Sequence, residues 1–556
     1  MAHPAPATGS DLMKEHPQMG QSLLTALLRE NVEHLDASRE LHPRWGWCAR
    51  HQQHWIPLQK DGLWHTVQAT TSEVWDEEKQ KWIPALDFIE TLNLPFFAGL
   101  QAELQSALEY ETYRAKHQKT LLKRSSPKTL LDFDRLASLL NHPIYPLPAR
   151  TGFSSSDLEA YCPESSSGFL LRWVAVPCDQ VTVVGKQPDF FPSFAEVGLK
   201  DRTDHVLFPV HPHTLSFLGE HQSIQVAPEP FLKVHPTLSL RTLVIEGHER
   251  FHLKVPLMVR TLGQRNVRTL HPDSFQDGHR MQEVLAALLG NDLLLTDESH
   301  YAHAGCPELG YLLRTYPEFP ANSPEKSVAL GLAGLLAPHP EGKTVLEHLS
   351  KDPLNLLKNT VQKLLELHLT LALQHGVVLE AHQQNTTLLI QGDQVQILLR
   401  DNDSPRILWS FFKARHPVLA RHLQPLGDER IETDDPHVLA DMFITIILHL
   451  CVTSVLQQAA QKNLLDLSEG LRFVRACILE VLQKNRLSPL AEVFEARILN
   501  AETYPSKRML SAGTLYPKDM LGATDINKCY RHDAPNYLKE RSAVSDQPSA
   551  RTSSGI

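Results

Sequence analysis

The chain has 556 residues, 42% of them hydrophobic and 21% charged, and a formal net charge of −10. That length is too great for one hydrophobic core and predicts two to four domains. The acidic balance argues against nucleic acid or an anionic membrane surface as the main partner. No run approaches twenty uninterrupted apolar residues, so no membrane span is expected. The start, Met1-Ala-His-Pro, lacks the basic and apolar regions of a signal peptide. Seven cysteines without a CxxC pair predict reduced thiols in a cytoplasmic protein. Thirty histidines raise the question of zinc. His368 and His375 are seven apart on one predicted helix, roughly 10 Å by helical rise, which is too far for one ion. His300 and His303 have no third ligand nearby in a zinc pattern. The histidines are therefore expected at the surface or hydrogen-bonded in the core.

Residues 1–18 lack periodicity and are expected to be flexible. Apolar spacing predicts a helix from Ser22, and further helices over 97–118 and 127–140. Between them, Trp45, Trp47, Trp55, Trp64 and Trp75 punctuate a stretch with turn signals that fits a small antiparallel sheet. The helix stops at Asn141, where Pro143, Pro146 and Pro148 impose a stiff extended loop. Such a loop can hold His142 and Arg150 at the edge of a cleft, and an interdomain linker fits it equally well.

From 168 to 270 the pattern turns to β. Residues 169–176, 181–184 and 206–210 read as strands. Residues 237–245 read as one strand presenting Thr237, Ser239 and Arg241 on one side, with a return strand over 251–257. Ser239, Arg241, Thr242, Lys254, Thr261 and Arg265 thus fall within thirty residues. Hydroxyls and guanidinium forks on adjacent strands suit a phosphate or carboxylate cradle; a solvated sheet face has the same composition. No Walker-type or GxGxxG fingerprint occurs. A helix is expected over 280–291, irregular chain over 291–322 and a small-residue helix over 327–338.

The most informative stretch follows the long helix predicted over 353–375, on whose apolar face His368 reads as core. Gly376 can end that helix in the left-handed conformation. Two apolar runs, 386–390 and 395–399, straddle Gly392-Asp393 and predict a β-hairpin. A hairpin joins its distal ends, so Glu380, His382 and Asn385 should meet Asp401 and Asp403 in a patch suited to a divalent cation and a polyanion. Helices are expected over 436–461 and 467–483, and a disordered tail over 541–556.

Together these clusters resemble the NRPS-independent siderophore (NIS) synthetases, the aerobactin-synthetase-like family. Glu380-Ala-His382-Gln-Gln-Asn385 looks like its Glu-x-His-x-Gln-Asn signature, and Arg400-Asp401-Asn-Asp403 like its Arg-Asp-x-acidic element. Ser239-x-Arg241-Thr242, Lys254 and Thr261-x-x-x-Arg265 match its nucleotide and carboxylate cradle. Val210-His211-Pro212 resembles a further element, with His213 and Thr214 in place of Trp-Gln. The loop at 142–153 departs from the pattern: Tyr145 replaces the second histidine, the usual lysine has no clear counterpart, and one residue is missing before Gly152-Phe153. This points to a divergent acyl or amine specificity, or to a modified role for the loop.

The resemblance implies an α+β multidomain fold of cupped-hand form. It would have a helical thumb over 1–135, β-rich fingers over 136–310 and a mixed, helix-rich palm over 311–540. It implies ATP-dependent adenylation of a polycarboxylate, citrate first, followed by acyl transfer to an amine or alcohol, and a homodimer. Ser239, Arg241, Thr242 and Lys254 would hold the triphosphate, with Mg²⁺ on Asp401, Asp403 and Asn385. Arg265, His382 and Thr261 would clamp the carboxylate, with His142 and Arg150 on the substrate side. Catalysis would rest on Arg265, His382 and Lys254. Two other readings use the same residues: an ADP-forming kinase or acyl-phosphate ligase, and a non-catalytic homologue that only binds a carboxylate.

Overall fold

The computed structural model describes residues 16–540, apart from 124–125, 166, 219–223, 291–292, 319–326 and 522–528. The tail expectation over 541–556 and most of the flexible start lie outside these residues. The first helix, Pro17–Arg29, has its proline in the first turn, where the missing N–H costs nothing. The tryptophan-rich stretch forms an antiparallel sheet of six described strands between Arg39 and Pro84, followed by the helices Ala85–Thr91 and Phe97–Leu121. These elements enclose a core that contains Leu23, Leu27, Phe88 and Leu104. Tyr145 and Leu147 from the proline-rich loop also enter it, as do Leu510 and Leu515 from near the end of the chain.

The middle of the chain forms an antiparallel sheet of nine described strands. At its centre His248–Lys254 lies between Thr242–Ile245 and Gly310–Thr315, with Thr242 and Leu312 both opposite Lys254. Three expectations need correction here. Residues 237–241 are a turn rather than a strand: Leu240 is left-handed at φ 65°, and Ser239 Oγ accepts the Thr242 amide at 3.0 Å. Hydroxyl side chains bonded to nearby backbone compete with the ladder in this way. The stretch 291–322 holds the strands Asp297–His303 and Gly310–Thr315, both within the large sheet. Residues 328–331 are a strand paired with the hairpin, not part of a helix, and short apolar runs carry too little periodicity to separate the two.

The C-terminal part is built on Pro353–His375, which Gly376 closes at φ 68°. An added Cβ there would also lie 2.8 Å from Phe411, so the position excludes other residues twice over. The hairpin pairs Thr386–Gln391 with Gln394–Leu399 in the expected register. His368 is 1% exposed within this core, among residues such as Leu364, Leu365 and Leu369. Among the described residues one helix, Pro436–Gln461, is long and apolar enough to cross a bilayer, but 94% of its apolar window is buried in the molecule. Its middle, Phe443–Thr453, is π-helical and completely covered. The fold is thus α+β in several layered parts, with sheet and hairpin meeting edge to end.

Candidate active site

The hairpin delivers Arg400-Asp-Asn-Asp403 to the open end of the large sheet. Asp401 takes a left-handed backbone at φ 62°, and its amide donates to Glu298 Oε1 at 3.1 Å. Arg400 ties the two polar clusters together: its amide donates to Asn385 O at 3.2 Å, and its side chain donates to Gln384 O and, at 2.7 Å, to Tyr316 Oη. Asn385 is 7% exposed and its Nδ2 braces the loop through Glu380 O at 3.1 Å. The predicted convergence of the 380–385 loop with Asp401 is therefore present.

The sheet supplies the opposing charges. Lys254, 4% exposed, forms a short ion pair with Asp401. Arg314 stands on the neighbouring strand, pairs with Glu298 and lies 3.5 Å from Asp401. Burial alone would raise the Asp401 pKa; Lys254, Arg314 and Arg241 outweigh it and hold the carboxyl well below its ordinary range. Asp403 behaves in the opposite way. Burial and the Asp401 charge push its pKa upward, with Glu298 and Glu380 adding to the effect. Asp403 thus lacks the cationic partners that Asp401 has, and carboxylate oxygens of this kind are donors that a hard divalent cation takes.

A cleft of about 500 Å³ opens beside this pair, lined by Arg241, Lys254, Thr269, Asp403, Asp428 and Arg430 among others. Its far wall, residues 427–430, is pinned by the Asp277 carboxylate, which accepts the amides of Gly427 and Asp428 at 2.9 Å each. Arg241 reaches the cleft from the turn and donates to Thr269 O. Arg268 interacts electrostatically with Arg241 and with Asp401. Burial and then Arg241 lower its pKa to about 9. His382 is held neutral by burial, with Lys507 and Arg268 working against Glu380 and Asp401. His142 is lowered to about 3 by burial and then by Lys507 and His382, and its Nδ1 accepts the Tyr145 amide at 2.9 Å. His142, His382, Arg268 and Lys507 thus form one electrostatic neighbourhood beside Asp401.

Other predicted residues are placed differently. Arg265 stacks on Phe96 with 4.7 Å to the ring centroid and donates to Ala512 O at 3.3 Å, so its contacts run to the two ends of the chain. The arginine that acts electrostatically on His382 is Arg268. Thr261 lies in the same connecting loop, its amide donating to Asn266 O at 3.3 Å. Thr242 is 3% exposed within its strand, and Ser239 spends its hydroxyl on the Thr242 amide. Arg150 lies flat on Tyr110 at 4.2 Å and donates to Pro148 O and Ala149 O. Tyr145, the substituted position of the loop, is buried and donates to Glu103 at 2.5 Å. Glu298, Arg314, Arg268 and Lys507 were missed in the sequence. An arginine inside the apolar run Tyr311-Leu-Leu-Arg314 was the available signal, since a charge on a buried strand has to be paired.

The family model described as the IucA / IucC family matches residues 129–336, the stretch that contains the turn, Lys254 and Arg314. That match covers rather more than a third of the chain, and over it the chain is similar to this family. A second model, described as a ferric iron reductase FhuF-like transporter, matches residues 355–520. Among curated relatives, an L-2,3-diaminopropanoate–citrate ligase of Staphylococcus aureus is 28% identical over 302 residues, 45% of this chain and 49% of the relative. A 2-[(L-alanin-3-ylcarbamoyl)methyl]-3-(2-aminoethylcarbamoyl)-2-hydroxypropanoate synthase of the same organism is 22% identical, over 57% of this chain and 60% of the relative. The chain thus spans about half the length of the curated relatives it matches. Among solved structures, the petrobactin biosynthesis protein AsbB of Bacillus anthracis superposes with a TM-score of 0.74 at 17% identity, covering 95% of this chain and 96% of that one. The ATP-bound aerobactin synthetase IucA of Klebsiella pneumoniae gives 0.71 at 17% identity, covering 94% and 99%. At this identity the likeness is one of fold.

Proposed function

We propose that the protein is an ATP-dependent ligase of siderophore biosynthesis. It adenylates a polycarboxylate, citrate first, and transfers the acyl group to an amine or alcohol with release of AMP and pyrophosphate. The observation that carries this reading is the buried Lys254–Asp401 pair, set among Arg241, Arg268 and Arg314 at the mouth of a cleft. Bringing a carboxylate to a triphosphate joins two anions, and fixed cations that need no reorganisation offset their repulsion as charge develops. Arg241 and Lys254 face the cleft and suit the phosphates. Arg268, which acts electrostatically on His382, suits the acyl carboxylate, since a guanidinium can grip it with two parallel hydrogen bonds. Neutral His382 can accept a proton from the incoming nucleophile.

Asp401 and Asp403, with the carbonyl of Asn385, offer oxygen donors of the kind Mg²⁺ takes. Bound there, the ion would neutralise phosphate charge. The acid repulsion that raises Asp403 supports this fit. All seven cysteines are free, which supports a reducing compartment, and we assign the protein to the cytoplasm. The division into parts over 1–135, 136–310 and 311–540 stands as a proposal. Two segments cross it: helix Pro272–Leu289 packs into the C-terminal core, and Met509–Tyr516 into the N-terminal one. A homodimer belongs to the same proposal, and light scattering would test it.

The test is ATP–pyrophosphate exchange with citrate, α-ketoglutarate and a broad panel of acids, followed by product analysis with polyamines and amino acids. Carboxylate-dependent exchange and AMP are expected. ADP would move the protein to the phosphoryl-transfer reading, and silence across the panel would leave a binding protein.

A further inference from the structure

Far from the cleft residues in sequence, a turn and a short helix bring together His339, Glu341 and His348. One potential ligand atom from each lies within 4.8 Å of the others. We propose that these three side chains form a binding site for a borderline divalent transition metal, Zn²⁺ foremost, with a fourth position left to solvent.

The scaffold is fixed before any metal arrives. Pro338 and Thr344 form an antiparallel bridge, the His339 amide donates to Lys343 O at 2.6 Å, and Gly342 closes the turn at φ 84°. Helix Val345–Leu349 begins at once, with a reciprocal cap between Thr344 and Glu347 that sets the position of His348. Ordered ligands of this kind lower the entropic cost of binding.

The side chains are in reach of one another. The two imidazoles lie face to face with centroids 3.8 Å apart and planes inclined by 17°. His348 Nδ1 is 3.3 Å from Glu341 Oε2. Zinc bonds of about 2.0–2.1 Å at tetrahedral angles put ligand atoms roughly 3.3 Å apart. Exposed His348 and Glu341 can turn out of the stacked arrangement to close the remaining spread, while His339, 2% exposed, is the fixed partner. His339 Nδ1 accepts the Glu341 amide at 3.2 Å, and Nε2, 3.4 Å from Ser126 Oγ, is the nitrogen left to face an ion. Two imidazoles and one carboxylate with an open position form a zinc-type donor set, which oxygen-seeking Mg²⁺ and Ca²⁺ do not prefer.

The experiment uses tag-free, full-length protein stripped with a chelator and titrated with Zn²⁺ by calorimetry, and with Co²⁺ by visible absorption. The chain carries thirty histidines, so weak background binding is removed by comparison with His348→Ala and Glu341→Gln, both altered at residues that are not buried. About one high-affinity Zn²⁺ per chain is expected, with the intense Co²⁺ bands of a four-coordinate site, and each variant should weaken binding by roughly 100-fold. Circular dichroism confirms that the variants fold. Equal binding by wild type and both folded variants, or no site tighter than the background, overturns the proposal.

Discussion

His368 gives the sharpest stability prediction. Its ring is 1% exposed in the C-terminal core, and neither nitrogen has a hydrogen-bond partner among the described residues. Replacing it with leucine removes an unpaired polar group whose burial costs about 1–3 kcal/mol, so His368→Leu should stabilise the protein by an amount in that range at pH 7.5. Acid adds a second difference. Burial lowers the His368 pKa to about 4 from an ordinary 6.5. Below pH 6.5 the unfolded chain takes up a proton that the folded one refuses, so the stability present above pH 6.5 is lost as pH falls towards 4. At pH 5.5 this loss is about 1.4 kcal/mol for the one residue, and the leucine variant is free of it. Urea unfolding followed by tryptophan fluorescence, wild type against variant at pH 7.5 and 5.5, measures the difference while shared terms cancel. A variant less stable than wild type at both values, or one whose advantage does not grow on acidification, would refute the reasoning.

The site yields three further expectations. Lys254→Met should lower carboxylate-dependent pyrophosphate exchange by at least about 100-fold, since a preorganised charge at developing negative charge contributes on that order. Near-normal exchange by the variant would remove Lys254 from the chemistry. Arg268→Ala should raise the KM for the acid by about 10-fold or more, equivalent to the loss of one charged hydrogen bond, and by more than Arg265→Ala does. Steady-state kinetics of the two variants side by side would return the role to Arg265 if the order were reversed. Tyr145→Phe should cost about 1.5–3 kcal/mol in thermal or urea unfolding, through the lost bond to buried Glu103, and leave KM for the acid unchanged.

The hairpin was legible in the sequence because two strong local signals agreed: a left-handed glycine after a long helix, and a Gly-Asp turn between apolar runs. Lys254 and Asp401 could each be named, but 147 residues separate them, and nothing local states that they touch. The turn at 237–241 escaped because alternating Thr, Ser and Arg imitate a strand, while the Ser239 hydroxyl was the actual organiser. Arg265 and Arg268 lie on one short run, and only the path of the loop decides which reaches His382. Residues 339–348 carried no recognisable zinc spacing, because the sequence does not show that a stacked pair forms across the turn.

The junction at the end of the chain has a consequence for synthesis. Buried Glu30 accepts the amides of Leu510 and Ser511 at 2.9 and 2.7 Å, and Gly263 and Gly513 pack backbone to backbone, where an added Cβ would lie 2.6 Å from Gly513 Cα. Leu510 and Leu515 fill the core that the first hundred residues begin. On the ribosome, the N-terminal unit therefore emerges with one wall missing, because 480 residues separate Glu30 from the segment that supplies that wall. During that interval its apolar interior is open, and a nascent chain stopped before Met509 would leave the beginning of the molecule unfinished.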